Sequence, residues 1–137
     1  MDVPRRVCIC GDRDWRDPEP IRTRLRQLPR STALIHGAQR GVDRLAARIA
    51  VWLGWEAAQV EAIPADWDVH GIAAGPIRNQ AMLDTGIDLV LAFHDNLSTS
   101  RGTADLVDRA VSRGIPVEII NSHGQTQYIE QRRLNLE

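Results

Sequence analysis

The chain has 137 residues, of which 43% are hydrophobic, and its formal net charge is −1. That length and composition predict one compact domain with an adequate core, and no apolar run approaches the roughly 20 residues that a membrane-spanning helix needs. The near-neutral charge argues against a large nucleic-acid footprint, and the lack of lysine among the 17 cationic residues excludes Schiff-base chemistry and a lysine-containing phosphate loop.

The first predicted element is a strand over residues 6–10 that ends at Gly11. It carries both cysteines, Cys8 and Cys10, whose i, i+2 spacing places them on one face, where they cannot easily bond to each other. A metal site at this pair would lack a second pair of cysteines to complete it. Because the N-terminal apolar run is too short for a signal peptide, we expect a cytoplasmic protein with reduced, buried thiols.

Two helices are predicted in the first half of the chain. The first begins near Pro18, with Asp17 as its cap, and ends at Pro29. A strand over residues 32–36 follows. Apolar residues then recur at helical spacing and Gly54 ends the pattern; they are Val42, Leu45, Ala46, Ile49, Ala50 and Leu53.

The second half continues the alternation of strands and helices. The predicted elements are a strand over 60–63, a loop over 65–71, a helix over 75–84, a nearly all-apolar strand over 89–93, a helix over 103–113 and a strand over 116–120. We therefore predict one domain over residues 1–121. Residues 122–137 are predicted to form a polar C-terminal tail, either a loose terminus or an arm on a neighbouring subunit.

This pattern predicts an α/β fold with a single doubly wound, mostly parallel five-stranded sheet flanked by about four helices. Ligands in such folds bind beyond the carboxyl ends of the strands, where the strand order reverses. The polar clusters of this chain all follow predicted strand ends, over residues 11–17, 36–43, 66–79 and 94–103. We expect them to converge on one site.

The segment 34–43 runs from a strand through a turn with two glycines into a helix. Gly37 and Gly41 permit backbone conformations that other residues resist, and exposed amides at a helix start suit a phosphate or a carboxylate. A tight strand-to-helix turn explains the same glycines equally well. Asp43, in the first helical turn, either caps the helix or binds a ribose hydroxyl.

The other clusters offer complementary groups. Arg13 is a candidate for a bidentate phosphate contact and Trp15 for stacking on a base, although a surface ion pair and a cover over the core explain them as well. Arg78 and Asn79 follow a second helix start, and their side chains suit phosphate, ribose or base. His36 and His94 each follow a strand end, where a backbone-bonded histidine is commoner than a metal ligand.

A third helix start lies at residues 98–103, a hydroxyl-rich stretch suited to an anion. Asp105 lies on the first turn of the helix that follows. Aspartates at that position usually stabilise the helix dipole or face solvent.

Several motifs together resemble the YspA-like family of the SLOG superfamily, which joins the Smf/DprA proteins to the Lonely Guy phosphoribohydrolases. They are Gly11-x-Arg13-x-Trp15, His36-Gly37-x-x-x-Gly41-x-Asp43-x-x-Ala46, Pro64-Ala65-Asp66-Trp67 and Gly75-Pro76-x-Arg78-Asn79-x-x-Met82. The resemblance covers about residues 6–120. It implies a Rossmann-like domain that binds nucleotides or nucleotide-derived ligands, often as an oligomer, in bacteria or their phages.

The same resemblance suggests catalytic residues. Lonely Guy enzymes use a helix arginine and the glutamate of a PGGxGTxxE loop to cleave an N-glycosidic bond, and Arg78 and Asp105 occupy the similar positions here. The chain departs from that pattern because residues 98–101 replace the Pro-Gly-Gly element and aspartate replaces glutamate, which shifts the reacting group by about one methylene.

The leading hypothesis is a nucleotide-binding protein with a sensor, carrier or sequestering role. The alternatives are a phosphoribohydrolase that acts on a nucleoside monophosphate, with Arg78 and Asp105 catalytic, and a single-stranded DNA binder. No cofactor is expected. The expected partners are a small nucleotide ligand and further copies of this chain, and we expect the chain to bind neither nucleic acid nor a membrane. The predicted ligand-binding residues are Gly11, Arg13, Trp15, His36, Gly37, Gly41, Asp43, Asp66, Trp67, Gly75, Pro76, Arg78, Asn79, Arg101, Gly102 and Thr103.

Overall fold

The structure, a computed structural model, describes residues 4–130. Within that range the strands are β1 (Arg6–Gly11), β2 (Ala33–His36), β3 (Val60–Ala62), β4 (Leu89–Phe93), β5 (Val117–Ile120) and β6 (Thr126–Ile129). The helices are α1 (Pro18–Arg26), α2 (Val42–Trp52), the short α3 (Trp67–His70), α4 (Ala74–Asp84) and α5 (Arg101–Ser112).

The strands form one sheet in the order β3-β2-β1-β4-β5-β6. Strands β1 to β5 are parallel, and β6 pairs antiparallel with β5. The order runs outward from β1 in one direction and from β4 in the other, so the topological switch point lies between these two strands. The predicted α/β, doubly wound and mostly parallel sheet is therefore confirmed.

The helices cover both faces of the sheet. Ile21 and Leu25 of α1 and Val42 of α2 pack in one apolar cluster, while Met82 of α4 and Leu106 of α5 pack in the other. Every residue of β4 is buried, as its nearly all-apolar sequence predicts for a central strand. Because each of these helices follows a parallel strand or its loop, the starts of α1, α2, α4 and α5 lie along the carboxyl edge of the sheet.

Two predictions about the chain's irregular segments need correction. The sheet has a sixth strand, because Thr126–Ile129 pair with β5 through a turn at Gly124, so the polar tail predicted from residue 122 belongs in part to the sheet. Residues 131–137 of that tail lie outside the described residues. The predicted loop over residues 65–71 contains α3, which Asp66 caps by accepting a hydrogen bond from the amide of Val69.

Cys8 and Cys10 are free and buried on the face covered by α4 and α5, as their spacing predicted. Burial raises the pKa of both thiols, so they stay protonated at neutral pH. Within residues 4–130 no helix is long and apolar enough to cross a membrane.

Candidate functional site

At the switch point, the backbone that follows β1 contacts the end of β4 directly. The amide of Asp12, just after β1, donates to the carbonyl of Phe93 at the end of β4, at 3.0 Å. A Cβ at Gly11 would meet that carbonyl carbon at 3.0 Å and a Val42 methyl at 2.6 Å, so only glycine fits where the two strands end. Gly11 therefore packs against the end of β4 and the start of α2.

The β2–α2 loop is stabilised by its own side chains. The Oδ2 atom of Asp43 accepts hydrogen bonds from the amides of Gly37, at 2.9 Å, and Gln39, at 3.3 Å. The Nδ1 atom of His36 accepts from the amide of Ala38 at 3.0 Å. The amides of Gly37, Ala38 and Gln39 are thus already engaged by side chains of the loop itself.

Glycine is required in this loop at two positions, for two different reasons. Gly41 has a φ of 80°, and a Cβ there would lie 2.6 Å from the carbonyl of Arg13. Gly37 lacks that left-handed conformation, but its Cβ would lie 2.7 Å from Cζ of Arg78 and closer still to Nη1. The loop therefore packs directly against the segment after β1 on one side and against α4 on the other.

Burial sets the protonation of the two titratable side chains in the loop. Asp43 is only 4% exposed, and burial raises its pKa to about 6, against the opposing effect of the two amides and Arg78. Burial lowers the pKa of His36, so the imidazole is neutral at pH 7.

A hydrogen-bond network connects this loop to α4 and α5. Arg78 donates from Nη1 to the carbonyl of Gly37 at 2.7 Å and from Nε to Oδ1 of Asn79 at 3.0 Å. Asn79 donates from Nδ2 to the carbonyl of Gly102, at 3.2 Å, and to Oδ2 of Asp105, at 2.9 Å. Three of the predicted clusters therefore meet around the Arg78–Asn79 pair.

One member of the network could not be identified from the polar clusters. Arg109 donates from Nε to Oδ2 of Asp105 at 2.9 Å and from Nη1 to Gln80 of α4 at 3.0 Å. The i, i+4 spacing of Asp105 and Arg109 was the available signal. A cavity of about 480 Å³ opens on the outer side of this ion pair, between α4 and α5.

The start of α5 is the open part of the rim. Ser100 caps the helix by accepting from the amide of Thr103 at 3.2 Å. The amides of Arg101 and Gly102 have no acceptor within residues 4–130, as is usual for the first turn of a helix, and a Cβ at Gly102 would meet nothing within 4 Å. Thr103 is 4% exposed beside them.

Trp67 lies next to the start of α4. Its ring edge is 3.4 Å from the position of a Cβ on Gly75, and 53% of the residue is exposed. Gly75, Arg78 and Asn79 are buried at i, i+3 and i+4 and so share one face of α4. Trp67 is therefore about one helical turn, roughly 5.4 Å along the axis, from the Arg78–Asn79 pair.

Four predicted ligand residues lie outside the hydrogen-bond network around Arg78. Trp15 is 7% exposed, stacks edge-on against Phe93 at a centroid distance of 5.9 Å and donates to the carbonyl of Asp17, so it is a core residue and the stacking prediction is corrected. Asp66 serves as the cap of α3. Pro76 and Arg13 are exposed.

Each histidine that follows a strand end accepts a hydrogen bond from nearby backbone. His94 accepts from the amide of Asn96 through Nδ1 at 3.0 Å, as His36 does from Ala38. Within residues 4–130 no group of three or more histidine, cysteine or acidic side chains could hold a metal ion.

The fold and the placement of the polar clusters define a Rossmann-like α/β protein whose candidate site lies at the carboxyl edge of the sheet. The chain belongs to the family described as YspA, cpYpsA-related SLOG, whose model, YAcAr, matches residues 5–70. It is 38% identical over 119 residues to the Gene 61 protein of Mycobacterium phage D29, and the alignment covers 82% of this chain and 94% of that protein. No solved structure matches the chain significantly. The resemblance predicted from the motifs is thus confirmed.

Proposed function

We propose that the chain binds a nucleotide or nucleotide-derived ligand at the starts of α4 and α5, in a sensor, carrier or sequestering role. The observation that carries this proposal is the buried Arg78–Asn79 pair directly beside the open first turn of α5. Asn79 is tied to the carbonyl of Gly102, while the amides of Arg101 and Gly102 have no acceptor within residues 4–130. A helix start with free amides and an adjacent guanidinium suits a phosphate.

Arg78 has one nitrogen left for that phosphate. Its Nη1 and Nε are engaged, whereas Nη2 has no acceptor within residues 4–130 and is not shut off from solvent. Arg78 as a whole is 6% exposed, so a contact at Nη2 would be largely desolvated and stronger than one on the open surface.

Trp67 supports the second half of the proposal. Its half-exposed ring lies about one helical turn from Arg78, which is a suitable place for a base to stack while its phosphate reaches α5. Family membership adds independent support for a nucleotide-related ligand.

Isothermal titration with AMP, ADP, cyclic AMP and ADP-ribose tests the proposal, with adenosine as the ligand that lacks a phosphate. We expect at least one phosphorylated ligand to bind and adenosine to bind at least tenfold more weakly. Trp67→Ala is expected to weaken binding about 5- to 150-fold, from the roughly 1–3 kcal/mol of stacking on one base. Trp52→Ala is the matched control, because Trp52 is 85% exposed at the end of α2. Absence of binding by every nucleotide contradicts the proposal.

Cleavage of a nucleoside monophosphate remains the second candidate, because Asp105 lies one hydrogen bond from Asn79. Asp105 also forms an ion pair with Arg109 at 2.9 Å, and a carboxylate at this position could stabilise a cation that develops on the ribose. Chromatography for free base after incubation with nucleoside monophosphates tests this activity. If base is released and Asp105→Asn releases it equally fast, Asp105 has no part in the reaction.

Two further predictions concern binding partners, namely other copies of this chain and single-stranded DNA. Sedimentation analysis tests the homo-oligomer, and a gel-shift assay with single-stranded DNA tests the third candidate function, for which we expect no binding at physiological salt.

A further inference from the structure

Gly37 is held from both sides. Its amide donates to Asp43 of α2 at 2.9 Å, and its carbonyl accepts from Arg78 of α4 at 2.7 Å. A carboxylate and a guanidinium on different helices are therefore linked through a single glycine. No ion pair within residues 4–130 joins Arg78 to a carboxylate directly.

The loop that contains Gly37 needs such support. Ala38 has a φ of 58°, a left-handed conformation that costs a residue with a Cβ roughly 1–2 kcal/mol. The two amides bound by Asp43, those of Gly37 and Gln39, lie on either side of Ala38. A strained backbone conformation of this kind persists only where neighbouring groups hold it in place, and here the carboxylate of Asp43 holds it.

The direction of Arg78 depends on the same loop. Within residues 4–130 its acceptors are the carbonyl of Gly37 and the side-chain oxygen of the neighbouring Asn79. If the Gly37 carbonyl moved, the guanidinium would lose the contact that fixes its Nη1 side. Its Nη2 atom would then no longer be fixed in direction.

We propose that Asp43 is a positioning residue. By accepting from the amides of Gly37 and Gln39 it fixes the β2–α2 loop, and through the Gly37 carbonyl it sets the direction in which Arg78 presents Nη2. The identity of the anion that Arg78 meets rests on the proposed function, whereas the coupling of Asp43 to Arg78 needs no ligand.

The surroundings of Asp43 make it the group to monitor. The groups that face it are Arg78 from α4, Cys8 and Cys10 from β1, and His36 at the start of its own loop. Burial raises the pKa of both thiols, so they stay protonated up to pH 8, and lowers that of His36, which therefore takes up its proton below pH 6.5. Asp43, with a pKa of about 6, also changes charge on the acid side of neutrality, and Asp43→Asn distinguishes its titration from that of His36.

Nitrogen-15 NMR of the ligand-free protein tests the coupling. We expect the amide signals of Gly37 and Gln39 and the Nε–H signal of Arg78 to shift together with one midpoint near pH 6, because all three report on the charge of Asp43. In Asp43→Asn these shifts should be absent from the Gly37 and Gln39 amides. A wild-type Nε–H signal of Arg78 that does not follow the titration of the Gly37 and Gln39 amides overturns the proposal without any variant having to fold.

Two variants of Asp43 then distinguish the role of its hydrogen-bond acceptor from the role of its negative charge. In Asp43→Ala the Arg78 Nε–H signal should move or exchange away, and AMP affinity at pH 7.5 should fall at least tenfold. Asp43→Asn keeps an acceptor oxygen and should retain the Arg78 signal, with affinity within about threefold of wild type. Asp108→Asn, an exposed carboxylate on α5, is the control for the change in net charge.

The outcomes distinguish this proposal from the proposed function. An unchanged Arg78 signal in Asp43→Ala, or an equal loss in Asp43→Asn, overturns the positioning role. If the Arg78 signal responds as expected but no nucleotide binds the wild-type protein, the positioning role stands and the proposed function fails.

Discussion

Replacing Gly37 by alanine tests the packing at the centre of the site. The new Cβ would lie 2.7 Å from Cζ of Arg78 and closer still to Nη1, whereas ordinary contacts begin at 3.4 Å, so the guanidinium must retreat by at least 0.7 Å. Overpacking of this kind costs about 1–3 kcal/mol. Loss of the 2.7 Å hydrogen bond from Arg78 to the Gly37 carbonyl adds about 1.5–3 kcal/mol. We expect Gly37→Ala to lower the free energy of unfolding by about 2.5–6 kcal/mol, the sum of these two costs.

Urea denaturation measures this loss as a lower midpoint at unchanged slope. Gly102→Ala is the matched control, because nothing lies within 4 Å of its Cβ and alanine favours a helix, so it should stay within about 1 kcal/mol of wild type. In an Arg78→Ala background, which removes the obstructing side chain, Gly37→Ala should cost less than about 1 kcal/mol. An equal cost of Gly37→Ala in both backgrounds would refute the packing argument.

Three further predictions concern stability. Asp43 has a folded pKa of about 6, above its ordinary 3.8, so the folded state binds the proton more tightly and this group should favour folding by about 1.3 kcal/mol more at pH 5 than at pH 7. Urea titrations at both pH values measure this as the difference in stability between wild type and Asp43→Asn, in which the contribution of His36 cancels. A difference that does not depend on pH contradicts the prediction. Trp15→Ala should lower the free energy of unfolding by about 3–5 kcal/mol, as for other buried aromatics, and a near-neutral result would remove Trp15 from the core. Ser100→Ala should cost about 1 kcal/mol through loss of the α5 cap, visible as a lower melting temperature, and an unchanged temperature would mean that the cap adds nothing.

Most of the fold could be predicted because its elements carry strong local signals. The helical repeat from Val42 and the all-apolar run 89–93 identify a packed helix and a central strand from sequence alone. Strand β6 is different, since Thr126–Ile129 are half-exposed at an edge and polar in part. Its formation depends on pairing with β5, which is a tertiary interaction that periodicity cannot report.

The convergence of the site could be predicted, but the roles of its side chains could not. Strand ends in a parallel sheet meet at one edge, so Gly37, Arg78 and Gly102 were expected together. Whether a polar group faces a ligand or its own backbone depends on which acceptor lies nearer. Asp43 reaches the loop amides, and Trp15 reaches Phe93; both choices are set by packing between elements distant in sequence.

The most direct test of a nucleotide site at the starts of α4 and α5 is a nitrogen-15 NMR titration of the wild-type protein with AMP and ADP-ribose. We predict the largest shifts at the amides of Arg101 and Gly102 and at the guanidinium N–H groups of Arg78, with small shifts at Gly37, whose amide Asp43 already binds. Shifts centred on Gly37 to Gln39 with none at the start of α5, or no response to either nucleotide, would contradict it.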